Sequence, residues 1–247
     1  MTTEVHTAMA APQLDIRALC FDVFGTVVDW RASIIHEGER LGAAKGIEVD
    51  WPAFADAWRA GYRPAMDSTR RVGAAWVGLD QLHRQILDGL LPRFGLQGLC
   101  ADEVAQLNRV WHRLMPWPDA VAGLTRLRAR FVVATLSNGN VALLVNMAKH
   151  AGLPWDCVLS GELIQKYKPD PEVYLMAARL LGLAPGQLML VAAHPSDLAA
   201  AQRAGLRTGY VPRPLEYGPA GGGEPVGGLS FDLTASDFSE LAARLGA

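Results

Sequence analysis

The chain has 247 residues, half of them apolar, and its 23 Lys and Arg residues nearly balance its 25 Asp and Glu residues. This composition is typical of a soluble globular protein with one large core, or with a core and one sizeable insertion. A net charge of −2 provides no basic surface for a phosphate backbone, so we expect no nucleic acid among the partners.

No stretch reaches the roughly twenty consecutive apolar residues that a membrane span requires, so we expect no membrane partner. Residues 1–13 lack the basic and apolar regions of a signal peptide and are interpreted as a flexible tail. The three cysteines, Cys20, Cys100 and Cys157, are far apart and odd in number, which argues against a disulfide framework or a zinc site. These features favour a cytoplasmic location.

The first predicted element is a strand over residues 16–21, an apolar run that stops at Asp22. About a hundred residues separate it from the next predicted strand, far more than a parallel crossover needs. We therefore predict an inserted helical cap over residues 30–115. Its predicted helices carry apolar residues at helical spacing and cover residues 34–41, 54–66, 79–94 and 104–114.

Two further apolar runs predict strands at 131–136 and 188–193, and helical patterns follow them at 141–150 and 198–204. Strands that alternate with helices predict an α/β fold, with a parallel sheet and helices on both faces. The glycine-rich stretch 218–228 is predicted to be a flexible loop.

The predicted organisation has three parts: a tail over 1–13, an α/β core over 14–29 and 116–247, and the cap over 30–115. In open parallel sheets, ligands bind beyond the carboxyl ends of the strands. The predicted binding edge therefore carries the polar residues that follow the three strands, namely Asp22, Ser137, Asn138, His194 and Asp197.

Four motifs carry a family resemblance: FDVFGTVVD at 21–29, LSNG at 136–139, YKPD at 167–170, and the late Asp197. In this order and spacing, from about Leu14 to the end, the chain resembles the haloacid dehalogenase superfamily of hydrolases, specifically the type II L-2-haloacid dehalogenases. The resemblance implies a Rossmann-like parallel sheet with an inserted helical cap, a small 2-haloacid substrate, and a homodimer.

Asp22 lies at a predicted strand end, where Gly25 allows the backbone to turn and Thr26 can donate a hydrogen bond to the carboxylate. Such a carboxylate can act as a covalent nucleophile, and the resemblance implies that role. Asp22 then attacks carbon 2 of the substrate, and water attacks the carboxyl carbon of the resulting ester. The structural alternative is that Asp22 only caps the turn.

Phe24 stands where phosphatases of the superfamily carry a second Asp that protonates the leaving oxygen. A phenyl ring cannot donate a proton, whereas chloride or bromide leaves without one, so Phe24 favours displacement at carbon. Residues 194–198 contain one carboxylate, Asp197, where the phosphatases use paired acids for magnesium. We therefore predict neither a metal nor another cofactor.

Ser137 and Asn138 follow a predicted strand and precede a helix, so they can hold a small anion together with the helix N–H groups. Helix capping is the alternative interpretation. The resemblance implies that Ser137 and the N–H groups of Val23 and Phe24 bind the substrate carboxylate, and that Asn138 assists the halide.

Lys168 can keep Asp22 ionised beside another carboxylate, or it is a solvated surface lysine. Tyr174 matches a family tyrosine near the site, or is a core aromatic residue. Asp197 is a candidate for orienting or deprotonating the attacking water, with helix capping as its alternative.

Departure of the halide requires a cation or hydrogen-bond donors. The candidate arginines of the cap are Arg31, Arg40, Arg59, Arg63, Arg70 and Arg71. Without the resemblance, a surface role is the expected one for each. Trp58 and Arg59 resemble a Trp-Arg pair on the first long cap helix of the family, which selects Arg59.

The best-known family pattern has Asn where this chain has His194. This chain also differs from that pattern at Ala192 and Ser196. His194 is either a donor to water or halide, or a strand-end residue packed beneath the cap. As a donor, His194 would add a second hydrogen bond to the leaving halide, and the small fluoride ion accepts hydrogen bonds strongly. We therefore expect activity on fluoroacetate that depends on His194.

Together, these residues predict an (S)-2-haloacid dehalogenase that converts short L-2-haloalkanoic acids to inverted 2-hydroxy acids and halide. One alternative is a phosphohydrolase of the same fold, which Phe24 disfavours. The other is a binding protein that has lost turnover. The presence of the complete set of motif residues disfavours it: Asp22, Thr26, Asn138, Lys168 and Asp197.

Overall fold

The computed structural model describes residues 15–69 and 75–247. The first strand, β1 (Ala18–Phe21), is fully buried, and a tight turn connects it to the short strand β2 (Val28–Asp29). Four helices follow: α1 (Trp30–Lys45), α2 (Trp51–Thr69), α3 (Leu79–Leu90) and α4 (Ala101–Asn108), the last continued by a 3-10 turn over Arg109–His112. Strand β3 (Met115–Pro116) then pairs antiparallel with β2, so both ends of this helical segment meet at one place.

The remainder of the chain alternates between helices and strands. Its elements are α5 (Ala120–Arg128), β4 (Val132–Ser137), α6 (Val141–Ala151), β5 (Cys157–Ser160), α7 (Pro171–Leu180), β6 (Leu188–Ala192), α8 (Pro195–Arg203), β7 (Arg207–Tyr210), β8 (Leu233–Thr234) and α9 (Phe238–Arg244).

Six of the strands form one parallel sheet in the order β5-β4-β1-β6-β7-β8. This arrangement confirms the predicted α/β fold with a parallel sheet. Because β1 lies between β4 and β6, the residues that follow these three strands meet at one edge of the sheet.

Alternate residues of β1 point to opposite faces of the sheet, as the period of two requires. Leu19 and Phe21 belong to the apolar cluster that includes Phe238 of α9, and the rings of Phe21 and Phe238 lie 5.2 Å apart, edge to face. Ala18 and Cys20 belong to a second cluster with residues of α7 and α8. Helices therefore cover both faces.

The helical segment between β2 and β3 has its own apolar contacts, centred on α2. Phe54 and Trp58 are fully buried, and their rings lie 5.4 Å apart. The Trp58 ring lies 5.5 Å from that of Trp111, and its indole N–H donates to the His83 carbonyl oxygen at 3.0 Å. The assignment of residues 30–115 as a separate cap domain stays a prediction.

Several predicted boundaries differ from the structure. The third cap helix ends at Leu90 rather than 94, because residues 91–95 turn towards Gly95, which has a φ of 71°. The fourth ends at Asn108 rather than 114, where the helix tightens to 3-10 geometry. The stretch 218–228 contains no helix or strand, as predicted.

The predicted tail over 1–13, together with Arg70 and Arg71, lies outside the described residues. Within the described ranges, none of the helices combines the length and the apolar character needed to cross a membrane.

Candidate active site

Asp22 follows β1 directly and lies at the base of a cleft, with 7% of its surface exposed. Its backbone N–H donates to the carbonyl oxygen of Val191 in β6 at 3.0 Å, and this bond fixes its direction. Gly25 has a φ of 84°, which allows the chain to turn back. The Thr26 hydroxyl then donates to Asp22 Oδ2 at 2.7 Å. The carboxylate therefore faces the cleft in a set orientation.

Lys168 connects Asp22 to the second acidic residue of the site. Its buried Nζ donates to Asp22 Oδ1 at 2.9 Å and to Asp197 Oδ2 at 2.5 Å. Burial favours the neutral lysine, but the charges of Asp197 and Asp22 raise the pKa of Lys168 above its ordinary value. Burial likewise favours a protonated Asp22, yet Lys168 and His194 hold the pKa of Asp22 well below its usual range. The two side chains are thus an ion pair.

Tyr174 lies behind Asp197 and donates its hydroxyl to Asp197 Oδ1 at 2.6 Å. The two carboxylate oxygens of Asp197 therefore face Lys168 and Tyr174, and no backbone N–H of the described residues donates to them. Burial and the Asp197 charge raise the pKa of Tyr174, so its hydroxyl stays protonated and acts as a donor. This geometry does not match that of a helix-capping aspartate.

His194 is placed between two carboxylates. Its Nδ1 lies 3.1 Å from Asp22 Oδ2, and its Nε2 lies 3.1 and 3.0 Å from the two oxygens of Glu216. Burial opposes the charged imidazole, but the bonds to Asp22 and Glu216 raise the pKa of His194 to about 10. Because both ring nitrogens face carboxylates, neither is directed at a halide.

The cleft has a volume of about 820 Å³ and extends from the edge of the sheet to α2. Arg59 of α2 lines it, with its guanidinium carbon 4.5 Å from the Tyr62 ring centre and 5.5 Å from that of Trp30. Arg59 Nη1 is buried and has no hydrogen-bond acceptor among the described residues. Buried donors are nearly always paired, so this nitrogen is suited to an anionic ligand.

Two other candidate arginines of the cap are engaged elsewhere. Arg31 forms two bonds with Asp56, and Arg40 bonds to Glu37 at the surface. Arg63 also lines the cleft and is exposed.

Ser137 and Asn138, at the end of β4, have different environments. Asn138 lines the cleft, and its Oδ1 accepts from the Lys168 backbone N–H at 2.7 Å. Ser137 is fully buried, and its Oγ accepts from the Gly139 N–H at 3.1 Å. This is a local turn bond before α6, whose N-cap is Asn140, so it does not cap the helix. The turn bonds around Asp22 leave the N–H groups of Val23 and Phe24 without an acceptor among the described residues.

The Phe24 ring lines the cleft close to Asp22, and only 3% of this residue is exposed. Its edge-to-face neighbours are Trp111, with ring centres 5.8 Å apart, and His83, at 6.4 Å. The cleft wall beside Asp22 is therefore apolar at this position.

Two residues of the site were not among the predicted ones. Tyr62 was predicted only as part of the apolar stripe of α2, although a residue three positions after Arg59 shares its helix face. Glu216 belongs to no motif and lies in the irregular segment after β7, so no local pattern marks it. Only the fold brings it to His194.

Comparisons with known proteins identify the family of the chain. A family model for haloacid dehalogenase-like hydrolases matches residues 16–205. The crystal structure of L-2-haloacid dehalogenase PA0810 is 48% identical, with a TM-score of 0.90, and the match covers 94% of this chain and 99% of that one. The structure of the defluorinating L-2-haloacid dehalogenase Rha0230 is 46% identical, with a TM-score of 0.90 and coverage of 94% and 96%.

Curated relatives include enzymes of two activities. (S)-2-haloacid dehalogenase 1 of Pseudomonas sp. (strain CBS-3) is 30% identical over an alignment of 208 positions, and the match covers 82% of this chain and 88% of that protein. A plasmid phosphoglycolate phosphatase of Cupriavidus necator is 30% identical over an alignment of 247 positions, and the match covers 96% of each chain. The chain therefore belongs to the haloacid dehalogenase-like hydrolase family.

Proposed function

We propose that the protein is an (S)-2-haloacid dehalogenase, which hydrolyses short L-2-haloalkanoic acids to 2-hydroxy acids of inverted configuration and halide. The observation that carries this proposal is the pairing of two groups across one cleft. An ionised, buried Asp22 lies at its base, and the half-buried Arg59, whose Nη1 is buried and has no acceptor among the described residues, lies on its α2 side. The first is a nucleophile and the second a receptor for a departing anion.

In the first step, an oxygen of Asp22 attacks carbon 2 from the side opposite the halogen, and the halide leaves with the bonding electron pair. Lys168 keeps Asp22 ionised and ready to attack. The substrate carboxylate is proposed to accept from the N–H groups of Val23 and Phe24, with Ser137 behind them. Arg59, with Asn138, receives the halide as its negative charge develops.

In the second step, water attacks the carboxyl carbon of the aspartyl ester and releases the hydroxy acid. Asp197 is the proposed base that orients or deprotonates this water, since it lines the cleft and is 2.5 Å from Lys168 Nζ. Tyr174 holds the opposite oxygen of Asp197. Inversion at carbon 2 follows, because only the first step occurs at that atom.

The rival function is phosphoester hydrolysis, which the similarity to the phosphoglycolate phosphatase brings into consideration. Two features argue against it. Phe24 provides no acid for an alkoxide leaving group. The Lys168 ammonium already bridges Asp22 and Asp197, where a divalent ion would need both carboxylates.

The decisive experiment measures halide release from both enantiomers of 2-chloropropionate and phosphate release from phosphoglycolate, each with and without a chelator. We expect the L enantiomer alone to react, at a rate that the chelator does not change. Magnesium-dependent release of phosphate would support the rival function. A protein that binds the haloacid without turning it over would support the binding-protein alternative.

Fluoroacetate is included among the proposed substrates. The relative Rha0230 is described as defluorinating, and 46% identity over 94% of this chain supports testing the same substrate here. Fluoride release, measured with an ion-selective electrode, checks this extension.

We further propose that the enzyme is a cytoplasmic homodimer. Cys20, Cys100 and Cys157 are all free thiols, which suits a reducing compartment, and two-fold dimers are the commonest closed assembly. Light scattering on the purified protein measures the oligomeric state.

A further inference from the structure

Glu216 is a buried carboxylate that the reaction scheme above does not use. Only 3% of its surface is exposed, and its oxygens accept from His194 Nε2 and from the Trp30 indole N–H at 3.0 Å. A Cβ atom at Gly25 would lie 2.1 Å from Glu216 Oε1, so the glycine of the nucleophile turn leaves room for this carboxylate. The side chain is thus built into the active site rather than placed beside it.

The charges around Glu216 require a cation next to it, because a buried anion without one is strongly destabilising. His194 is the group in direct contact with Glu216 that can supply this charge. Three charged groups face His194. Asp22 directly follows β1, and Glu216 and Glu224 lie in the segment after β7. Lys168 and Arg59 act on it through Asp22 and Glu216.

The two oxygens of Asp22 differ in their hydrogen bonds. Oδ2 accepts from both Thr26 Oγ1 and His194 Nδ1, whereas Lys168 Nζ is the one donor to Oδ1 within residues 15–69 and 75–247. Oδ1 therefore retains a free lone pair and is the better nucleophile. After attack by Oδ1, Oδ2 becomes the carbonyl oxygen of the ester, with two donors already directed at it.

We propose that Glu216 is a positioning residue that holds His194 as a cation with its Nδ1–H directed at Asp22 Oδ2. His194 and Thr26 then stabilise the oxyanion that forms on this oxygen when water attacks the ester. This inference rests on the proposed dehalogenase function and concerns its second step.

The water oxygen forms a bond to Asp22 Cγ, its proton passes to Asp197, and the carbonyl electron pair moves to Oδ2. When the pair returns, the bond between Cγ and Oδ1 breaks, and the hydroxy acid leaves with Oδ1 and takes the proton from Asp197. Asp22 is regenerated with one oxygen from water, and the second water proton, which remains on that oxygen, is released to solvent as Asp22 returns to the carboxylate.

The test compares the wild-type protein with the Glu216→Gln and His194→Ala variants, using L-2-chloropropionate as the probe. Rapid-quench measurements follow the first equivalent of chloride and the subsequent steady state. We expect the chloride burst to change by less than about threefold in both variants. Steady-state turnover by Glu216→Gln at pH 9 should fall roughly a hundredfold, the usual cost of one lost oxyanion donor.

Two further readouts separate this role from a merely structural one. Mass spectrometry of the quenched variants should detect the ester on Asp22 in the steady state. Turnover by Glu216→Gln should recover at pH 5.5, because His194 is again protonated below its ordinary pKa. NMR titration should show that the His194 ring stays protonated up to about pH 10 in the wild type. In Glu216→Gln the ring should lose its proton near neutral pH.

The matched control is Glu240→Gln, which removes an exposed carboxylate on α9 that pairs with Arg244, and it should behave as the wild type. If Glu216→Gln turns over at pH 9 as fast as the wild type, the proposal is wrong. It is also wrong if the first release of chloride slows as much as steady-state turnover does. If Glu216→Gln does not fold, Glu216→Asp, which keeps the charge but shortens the reach to His194, replaces it in the same measurements. A wild type that releases no halide contradicts the dehalogenase function itself, and the oxyanion role falls with it.

Discussion

Asp22, Lys168 and His194 form a chain of charges in which each residue sets the state of the next. Asp22 is flanked by two cations, and each cation has a second carboxylate, Asp197 for Lys168 and Glu216 for His194. With Arg59, this set of residues has three cations and three carboxylates. An arriving substrate carboxylate therefore adds a net negative charge that the buried donors of the cleft must stabilise.

The first prediction at this scale concerns the covalent role of Asp22. Asp22→Asn keeps the size of the side chain but removes its charge, so turnover should fall by more than about a thousandfold. A single turnover of the wild type in heavy-oxygen water should label Asp22 and leave the first product unlabelled, as read by mass spectrometry of both. Label entering the first product directly would contradict an ester intermediate.

The second prediction concerns Arg59. Its removal takes away an interaction that strengthens as the halide gains charge, so kcat should fall more than KM. For Arg59→Met we expect a loss of about 3 kcal/mol of transition-state stabilisation, or roughly a hundredfold in kcat. Arg40→Met, which removes a surface arginine paired with Glu37, is the control. A change confined to KM would assign Arg59 to ground-state binding only.

At the scale of the elements, one arginine joins three parts of the chain. Arg213, after β7, makes two bonds to Asp119, at 2.7 and 2.9 Å, and donates to the Thr26 carbonyl oxygen at 2.9 Å. Asp119 also accepts from the Phe238 N–H at the start of α9. The turn that carries the nucleophile is therefore tied to α5 and α9.

We predict that Arg213→Met lowers the free energy of unfolding by about 3 kcal/mol, because it leaves the Asp119 carboxylate without its cation in a mostly buried site. Arg128→Met removes an exposed ion pair with Asp156 and should cost less than about 1 kcal/mol. Urea unfolding measures both variants. If both variants lose the same free energy of unfolding, the buried ion pair contributes no more to stability than the exposed one.

At the scale of the whole molecule, the charged groups of the site set how stability depends on pH. The pKa of Asp22 is lower in the folded chain than in the unfolded one, so its contribution is present above about pH 4 and is lost as the pH falls further. The pKa of His194 is raised to about 10, so its contribution is complete below about pH 6.5 and is lost as the pH rises towards 10.

Because the contribution of Asp22 is lost at low pH and that of His194 at high pH, we predict that stability is greatest between about pH 4 and pH 6.5. Urea unfolding at pH 3, 5.5 and 9 should give the largest free energy at pH 5.5. In His194→Asn the free energy of unfolding should decrease less between pH 5.5 and pH 9. Its decrease between pH 5.5 and pH 3 should remain. A wild-type protein that is as stable at pH 9 as at pH 5.5 would contradict the raised pKa of His194.

The predictable part of the fold followed from long apolar runs. The strands at β1, β4 and β6 were predicted to within two residues because they are buried on both faces and are almost uninterrupted apolar segments. The short strands β5, β7 and β8 were missed, because segments of two to four residues have too little pattern of their own. Their pairing with the sheet decides their structure.

The sequence by itself determined the family, the order of the motifs and the edge of the sheet that carries the site. These follow from residues that lie next to strand ends, as Asp22 and Asn138 do, and whose roles depend on local spacing. Only the tertiary structure decided that His194 faces Asp22 and Glu216 rather than a halide. The physical reason is that His194 and Glu216 are 22 residues apart and meet through the segment after β7, whose course is set by burial and charge balance and not by any repeating pattern.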